Sequence, residues 1–170
     1  MVQARGKKNH EADWQRIGIA DALSLTLSPI EKHENLLRSI GYFCSDTLNY
    51  FMFGCGPMTP TLMDVVIILG LDIHSTCPSS FALIECSHKM VDKATTRNWG
   101  QYIEHHHKLK GTVNHQEHTT FLNLWLDHFL FCGSSLAPTK NYLNLANALA
   151  DGNRMALGKL FLALYIATCL

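Results

Sequence analysis

Glycine and proline punctuation between residues 51 and 71 constrains this chain more than any other stretch. It reads Phe51-Met-Phe-Gly-Cys-Gly-Pro-Met-Thr-Pro-Thr-Leu-Met-Asp-Val-Val-Ile-Ile-Leu-Gly-Leu71. Phe51 and Phe53 alternate as strand residues do, with both rings on one face. Gly54, Gly56 and Pro57 then force a turn, because glycine reaches positive φ and proline fixes φ near −65°. A short second strand follows. Thr61 precedes an apolar run, and Asp64 stands three residues later. At that spacing the threonine oxygen accepts a helix N–H while the carboxylate reaches back. The acid also suits the positive end of the helix dipole. Gly70 closes the run where a left-handed residue is expected. The segment predicts hairpin, then short helix, and carries no obvious catalytic group.

The flanking sequence predicts more helices. Residues 1–20 are mixed polar without a sustained period and read as a loosely ordered lead-in, so the domain is placed at 21–170. Ser28-Pro-Ile-Glu31 has the form of a helix start, with Ser as N-cap, Pro at the first position and Glu at the third. Ile30, Leu37, Ile40 and Cys44 then share a face of a helix running to about Asp46. Residues 72–96 read as loop, with a short helix around 81–90. A helix is expected from Arg97 to Leu109, ending before Gly111. Asn114 and Glu117 predict a capping box opening a helix to Cys132, with Gly133 as its stop.

In that helix Phe121, Trp125, Phe129 and Cys132 form one apolar stripe, and Leu122, Leu126 and Leu130 a second. Thr120, Asn123 and Asp127 are left as a narrow polar edge. This makes it a central core helix, with Trp125, Phe129 and Cys132 inside. Tyr142–Ala150 predicts a shorter helix, stopped by Asp151-Gly152. Asn153 to about Cys169 predicts one that is apolar nearly all round. The fold class is therefore mainly α: a compact multi-helix domain with one small β-hairpin before a short helix.

Composition limits what such a domain does. With 170 residues, 47% of them hydrophobic and 16% charged, the chain reads as one well-buried globular domain. A formal net charge of zero argues against a strong grip on phosphate backbones. Arg5-Gly-Lys-Lys8 reads as a solvated tail. Six cysteines without a C-x-x-C pair, and no secretory start, indicate free thiols in a reducing compartment. Cys55, in its turn, reads as the accessible one. The apolar run from Leu160 to Leu170 is shorter than the about 20 residues that span a bilayer. No membrane segment is expected.

The ten histidines invite a metal reading, but His105, His106 and His107 are consecutive and diverge around a helix. His115 and His118 share a face, and Cys132 is their one prospective third ligand. Zinc sites carry clearer spacing. No metal is expected.

Three blocks resemble the plant mobile domain family, also labelled aminotransferase-like and shared by the maintenance-of-meristems proteins. The first is the segment 51–71. The second is Glu117-His-Thr-Thr-Phe-Leu-Asn-Leu-Trp-Leu-Asp-His-Phe-Leu-Phe-Cys-Gly133. The third is Ser135-Leu-Ala-Pro-Thr-Lys-Asn-Tyr-Leu143, running into Leu145–Leu149 and Ala156–Leu160. They occur in the family's order, so the resemblance covers most of 22–170. Turn and cap geometry accounts for the signature residues. Phe53, Gly54, Gly56, Pro57, Met58, Thr59, Thr61 and Asp64 are nonetheless the candidate interaction set.

The resemblance implies a non-enzymatic protein-interaction domain of a plant nuclear protein, with a role in transposon or gene silencing and in meristem maintenance. It also implies a protein partner, a phosphatase-like one among the choices. Transposable elements carry similar sequences, so a transposon-borne copy is an alternative. So is a nucleic-acid-binding module with a basic face from Arg97, Lys108 and Lys110, and so is a truncated non-functional copy. The label suggests pyridoxal phosphate. That cofactor needs a Schiff-base lysine and a phosphate cradle, and Lys89, Lys93, Lys140 and Lys159 have no such context. No cofactor is expected. Family members usually extend further, so a C-terminal truncation is expected to leave Leu160, Leu164 and Ala167, or the opposite side of the last helix, uncovered.

Overall fold

The computed structural model describes residues 2–29, 31–45, 47–48, 50–76, 98–106 and 113–168, with side chains between residues 10 and 167. The observed class is the expected one: mainly α, with a small antiparallel sheet. In chain order the elements are α1 (Val2–Ile17), α2 (Ala20–Leu25) and α3 (Glu34–Gly41). Then come β1 (Cys44–Ser45), β2 (Tyr50–Phe53), β3 (Gly56–Met58) and α4 (Leu62–Leu69). They are followed by α5 (Trp99–His106), α6 (His115–Leu124), a π-helix (Trp125–Leu130), α7 (Leu143–Ala150) and α8 (Leu157–Thr168).

The core gathers around α6. Leu122, Trp125, Leu126 and Leu130 from α6 and its π-turn pack with Leu145, Ala146 and Leu149 of α7. Trp14, Ile17, Ile19, Ala22 and Leu23 close one side, and Val65, Leu71, Met155 and Leu157 another. Trp125 and the Leu122/Leu126/Leu130 stripe are thus core, as read from their spacing.

Several sequence expectations are corrected. The lead-in is a helix: α1 runs to Ile17, and the chain then turns at Gly18, with the Ile19 N–H donating to the Trp14 carbonyl. Among its described side chains only Trp14 and Ile17 reach the core, three residues apart, too sparse for a period to register. Ser28 does not start α3. Its N–H donates to the Leu25 carbonyl, so it finishes the turn after α2, and α3 begins at Glu34 behind His33. No residue of α3 is buried, and Cys44 lies in β1. The hairpin has gained a third, two-residue strand, β1.

The helix opened by Asn114 changes character at Trp125. Its i→i+5 bonding adds a residue to the turn, so side chains beyond it rotate out of α-helical phase. Phe129 is consequently 52% exposed rather than core, and Cys132 is exposed with φ of 51° rather than set on an apolar stripe. Thr120, Asn123 and Asp127, expected as a polar edge, are all buried. α8 starts at Leu157, four residues late, because Met155 pairs with Thr76 and the Ala156 and Gly158 N–H groups donate to Thr76 and Asp72 carbonyls. Along α8 Leu160 and Leu164 are half-buried and Ala167 is exposed, in line with an incompletely covered helix. The α7 expectation holds, with Tyr142 just ahead of the first turn. The helix expected at 81–90 and the ends of α5 at Arg97, His107, Leu109 and Gly111 lie outside the described residues.

Candidate functional site

The signature residues fall on one continuous unit, β2–β3–α4. Phe51 faces Met58, Met52 faces Pro57 and Phe53 faces Gly56 across the hairpin. Gly54 and Cys55 make the turn, and Gly56 takes φ of 126°, which a side-chain-bearing residue would resist. Phe43, Phe51 and Phe53 form a ring cluster, with centroids 5.1 Å apart for Phe43–Phe53 and 6.1 Å for Phe51–Phe53. Pro57 sits on edge strand β3, where its missing N–H leaves no ladder bond broken and blunts the edge. Thr59 and Pro60 lead into the helix.

The expected capping box is present in full. The Asp64 N–H donates to Thr61 Oγ1 at 3.3 Å, and the Thr61 N–H donates to Asp64 Oδ2 at 2.7 Å. The Thr61 hydroxyl also donates to that oxygen at 2.8 Å. The Thr61 backbone N–H first, and its hydroxyl second, hold the Asp64 carboxyl below the usual carboxylate value. Asp64 is therefore a fixed anion spent on the helix end, the opposite of what a general acid needs. Gly70 ends α4 at φ of 63°, and a Cβ there would meet the Asp21 Cβ at 2.7 Å, so its bareness also lets α2 approach.

α4 turns Val65 inward with Leu62, Val66 and Leu69 half-buried beside it. Its other side presents Met63, Asp64, Ile67 and Ile68, an i, i+1, i+4, i+5 stripe on a helix face. Ile67 is 74% and Ile68 66% exposed. Met52 and Met58 on the hairpin are exposed as well. By the hairpin register these two methionines point to opposite faces. With the only carboxylate of the stripe bonded into the cap, the α4 stripe is apolar and carries a flexible methionine, Met63, which adapts to irregular partners.

Sequence reasoning missed two buried polar clusters. In the first, Asn123 Nδ2 donates to the Thr139 carbonyl at 3.2 Å, and the Thr139 hydroxyl donates to Asp127 Oδ1 at 2.8 Å. The Asp127 carbonyl accepts the Gly133 N–H, and a Cβ at Gly133 would come within 2.9 Å of Asp127 Oδ2. The segment after α6 thus partners part of this polar edge; Thr120 bonds back to the Gln116 carbonyl, and Asn123 Oδ1 and Asp127 Oδ2 stay buried without a hydrogen bond. The signal was a polar 120/123/127 stripe inside an otherwise apolar helix. In the second cluster the Trp14 indole N–H donates to His118 Nε2 at 2.9 Å, and His10 stacks on His118 at 4.1 Å. Burial foremost, then His10 and His115, push His118 down to about 4, with Asp13 opposing.

The prospective metal set does not converge. His115 Nε2 pairs with Asp151 Oδ1 at 2.8 Å, His118 is bound to Trp14, and Cys132 is exposed past the π-turn. Among the described residues no three His, Cys, Asp or Glu side chains gather around a common point. Lys140 and Lys159 are exposed, while Lys89 and Lys93 lie outside the described residues, as do Arg97, Lys108 and Lys110 of the expected basic face. Cys55 is exposed in its turn, as read. No helix among the described residues is long and apolar enough to cross a membrane.

A family model described as the plant mobile domain matches residues 18–170. The chain belongs to the plant mobile domain family. The resemblance carried by the three blocks was therefore correct in kind and nearly so in extent. The match begins at Gly18, so α1 precedes the plant mobile domain proper. The family description ties the chain to plant mobile elements. No curated protein and no solved structure is significantly similar to it.

Proposed function

We propose that this plant mobile domain is a non-enzymatic protein-interaction domain that binds its partner through the outer face of α4 and the adjoining hairpin. The carrying observation is the exposed apolar stripe Met63, Ile67 and Ile68 on one side of α4. Contiguous apolar exposure on a folded domain marks interaction surfaces. The signature residues Phe53, Gly54, Gly56, Pro57, Thr59, Thr61 and Asp64 then act as the frame that holds this face, and Met58 is exposed on the strand that leads to it. The uses of Asp64 and His118 as structural groups agree with a domain that does no catalysis.

The setting that fits the family is the plant nucleus, in transposon or gene silencing and meristem maintenance, with a phosphatase-like protein as the first partner to test. The experiment is affinity purification of the full-length protein from plant nuclei, wild type beside M63D/I67D, with identification of bound proteins. A specific protein recovered with wild type and lost with the variant is the expected result. Recovery of the same set with both overturns the surface assignment. Tight duplex DNA binding that falls steeply with salt would instead favour the nucleic-acid alternative.

A further inference from the structure

We propose that the Trp14–His118 contact, flanked by His10, is a protonation-sensitive lock that holds α1 on the body, and that acid releases α1 while α6 and α7 stay folded. An indole N–H only donates. The His118 Nε2 that receives it at 2.9 Å is therefore an unprotonated acceptor, and the ring proton sits on Nδ1. Protonating Nε2 would set two N–H groups against each other in a buried contact. It would also place a cation against the His10 ring, 4.1 Å away and 12° from parallel. Both His10 and Trp14 belong to α1, so the strain falls on the joint between α1 and α6.

Around this joint α1 contributes His10 and Asp13, while α6 contributes His115, itself paired with Asp151 beyond α7. α5 also packs on α6 and carries Glu104, His105 and His106, but the charges acting on His118 are those of His10, His115 and Asp13. Trp14 also stacks on Phe121, with ring centroids 5.9 Å apart. Of the described side chains of α1 only Trp14 and Ile17 are buried.

The direction of the linkage follows. With α1 docked, His118 takes a proton only near pH 4; with α1 released it returns toward its ordinary 6.5. Above pH 6.5 neither state binds the proton, and docking is unaffected. Between 6.5 and 4 the released state binds one proton more. Opening therefore becomes more favourable by about tenfold per pH unit in that window.

The test is amide hydrogen exchange on the 170-residue chain from pH 7.5 to 4.5, corrected for intrinsic rates and resolved to α1, α6 and α7. The expected result is α1 protection that falls about tenfold per unit below pH 6.5, with α6 and α7 flat. In H118Q the glutamine carbonyl accepts the indole N–H without titrating, so α1 protection should stay flat across the range. Flat α1 protection in wild type, equal loss in all three helices, or a wild-type slope in H118Q each overturns the lock. A second measurement on wild type covers the case in which H118Q does not fold. Nitrogen NMR of the His118 ring should show Nε2 unprotonated until α1 opens. Titration near 6.5 with α1 still protected would overturn the proposal.

Discussion

The run from Phe121 through the π-turn and α4 are both helical stretches with apolar residues around most of their circumference, yet they end up in opposite surroundings. α6 and its π-turn bury even Thr120, Asn123 and Asp127, while α4 leaves Met63, Ile67 and Ile68 to solvent. The difference lies in neighbours. α6 packs against α1, α5 and α7, and the segment carrying Thr139 supplies partners to its polar edge. α4 meets α2 and α8 on one side. Apolar content of a helix thus sets how much it gains from burial, and the number of elements reaching it sets how much it obtains. A helix apolar all round that stays half-covered has a face left for something else.

The comparison breaks first at Trp125. It is 2% exposed in the middle of the best-covered helix. Trp125→Ala should cost about 3–5 kcal/mol, through lost burial and the cavity left behind. Denaturant unfolding checks this; a near-wild-type midpoint would mean that the region around α6 is not the better packed of the two. The polar edge offers the next largest effect. Thr139→Val keeps the shape but takes the hydroxyl from Asp127 Oδ1, leaving a buried carboxylate oxygen without that donor. A loss of about 1–3 kcal/mol is expected. A neutral result in the same unfolding assay would show that the buried edge is not held by this bond.

How far the sequence was legible follows the same division. The hairpin, the Thr61–Asp64 box and the Gly70 stop are local chemistry, each decided within three or four residues, and they appear where expected. The stripe of Leu122, Leu126 and Leu130 is also local, because helical period alone places it. What failed depends on distant partners or on a change of phase. Trp14 anchors α1 through a residue 104 positions away, which no period in residues 1–20 reveals. Phe129 and Cys132 were misplaced because the π-turn shifts register after Trp125. Asp127 looked like a solvent-facing residue because its partner, Thr139, lies beyond the helix. Ser28 carried a genuine helix-start pattern, but α2 takes its N–H first. The candidate interaction residues were legible as a frame. The face they hold, Met63, Ile67 and Ile68, emerges only once the inward side of α4 is known.

That frame gives a smaller effect. Thr61→Ala removes the side-chain acceptor for the Asp64 N–H and the hydroxyl that bonds its carboxylate, and should cost about 1 kcal/mol. The loss should be local. Hydrogen exchange should quicken in the first turn of α4 and leave α6 unchanged. Equal loosening of both helices would show that α4 is coupled to the body more closely than its one-sided packing implies.

The smallest change in stability is expected on the outer face of α4. Ile67→Gln keeps a good helix former in a helix and removes an apolar side chain that is 74% exposed. Little burial is forfeited, so the thermal midpoint should correspond to a change within about 0.5 kcal/mol. If the face is free for a partner, the same substitution should reduce capture of that partner from plant nuclei while the melt stays put. A melt lowered by several degrees would mean that Ile67 is already covered in solution. Size-exclusion chromatography then decides by what: a wild-type dimer turned monomeric by the substitution would identify a second copy of the chain on this face, and an unchanged monomer would place the cover within the chain itself. In that second case the contrast between α4 and α6 would disappear, and with it the main support for an interaction surface at this position.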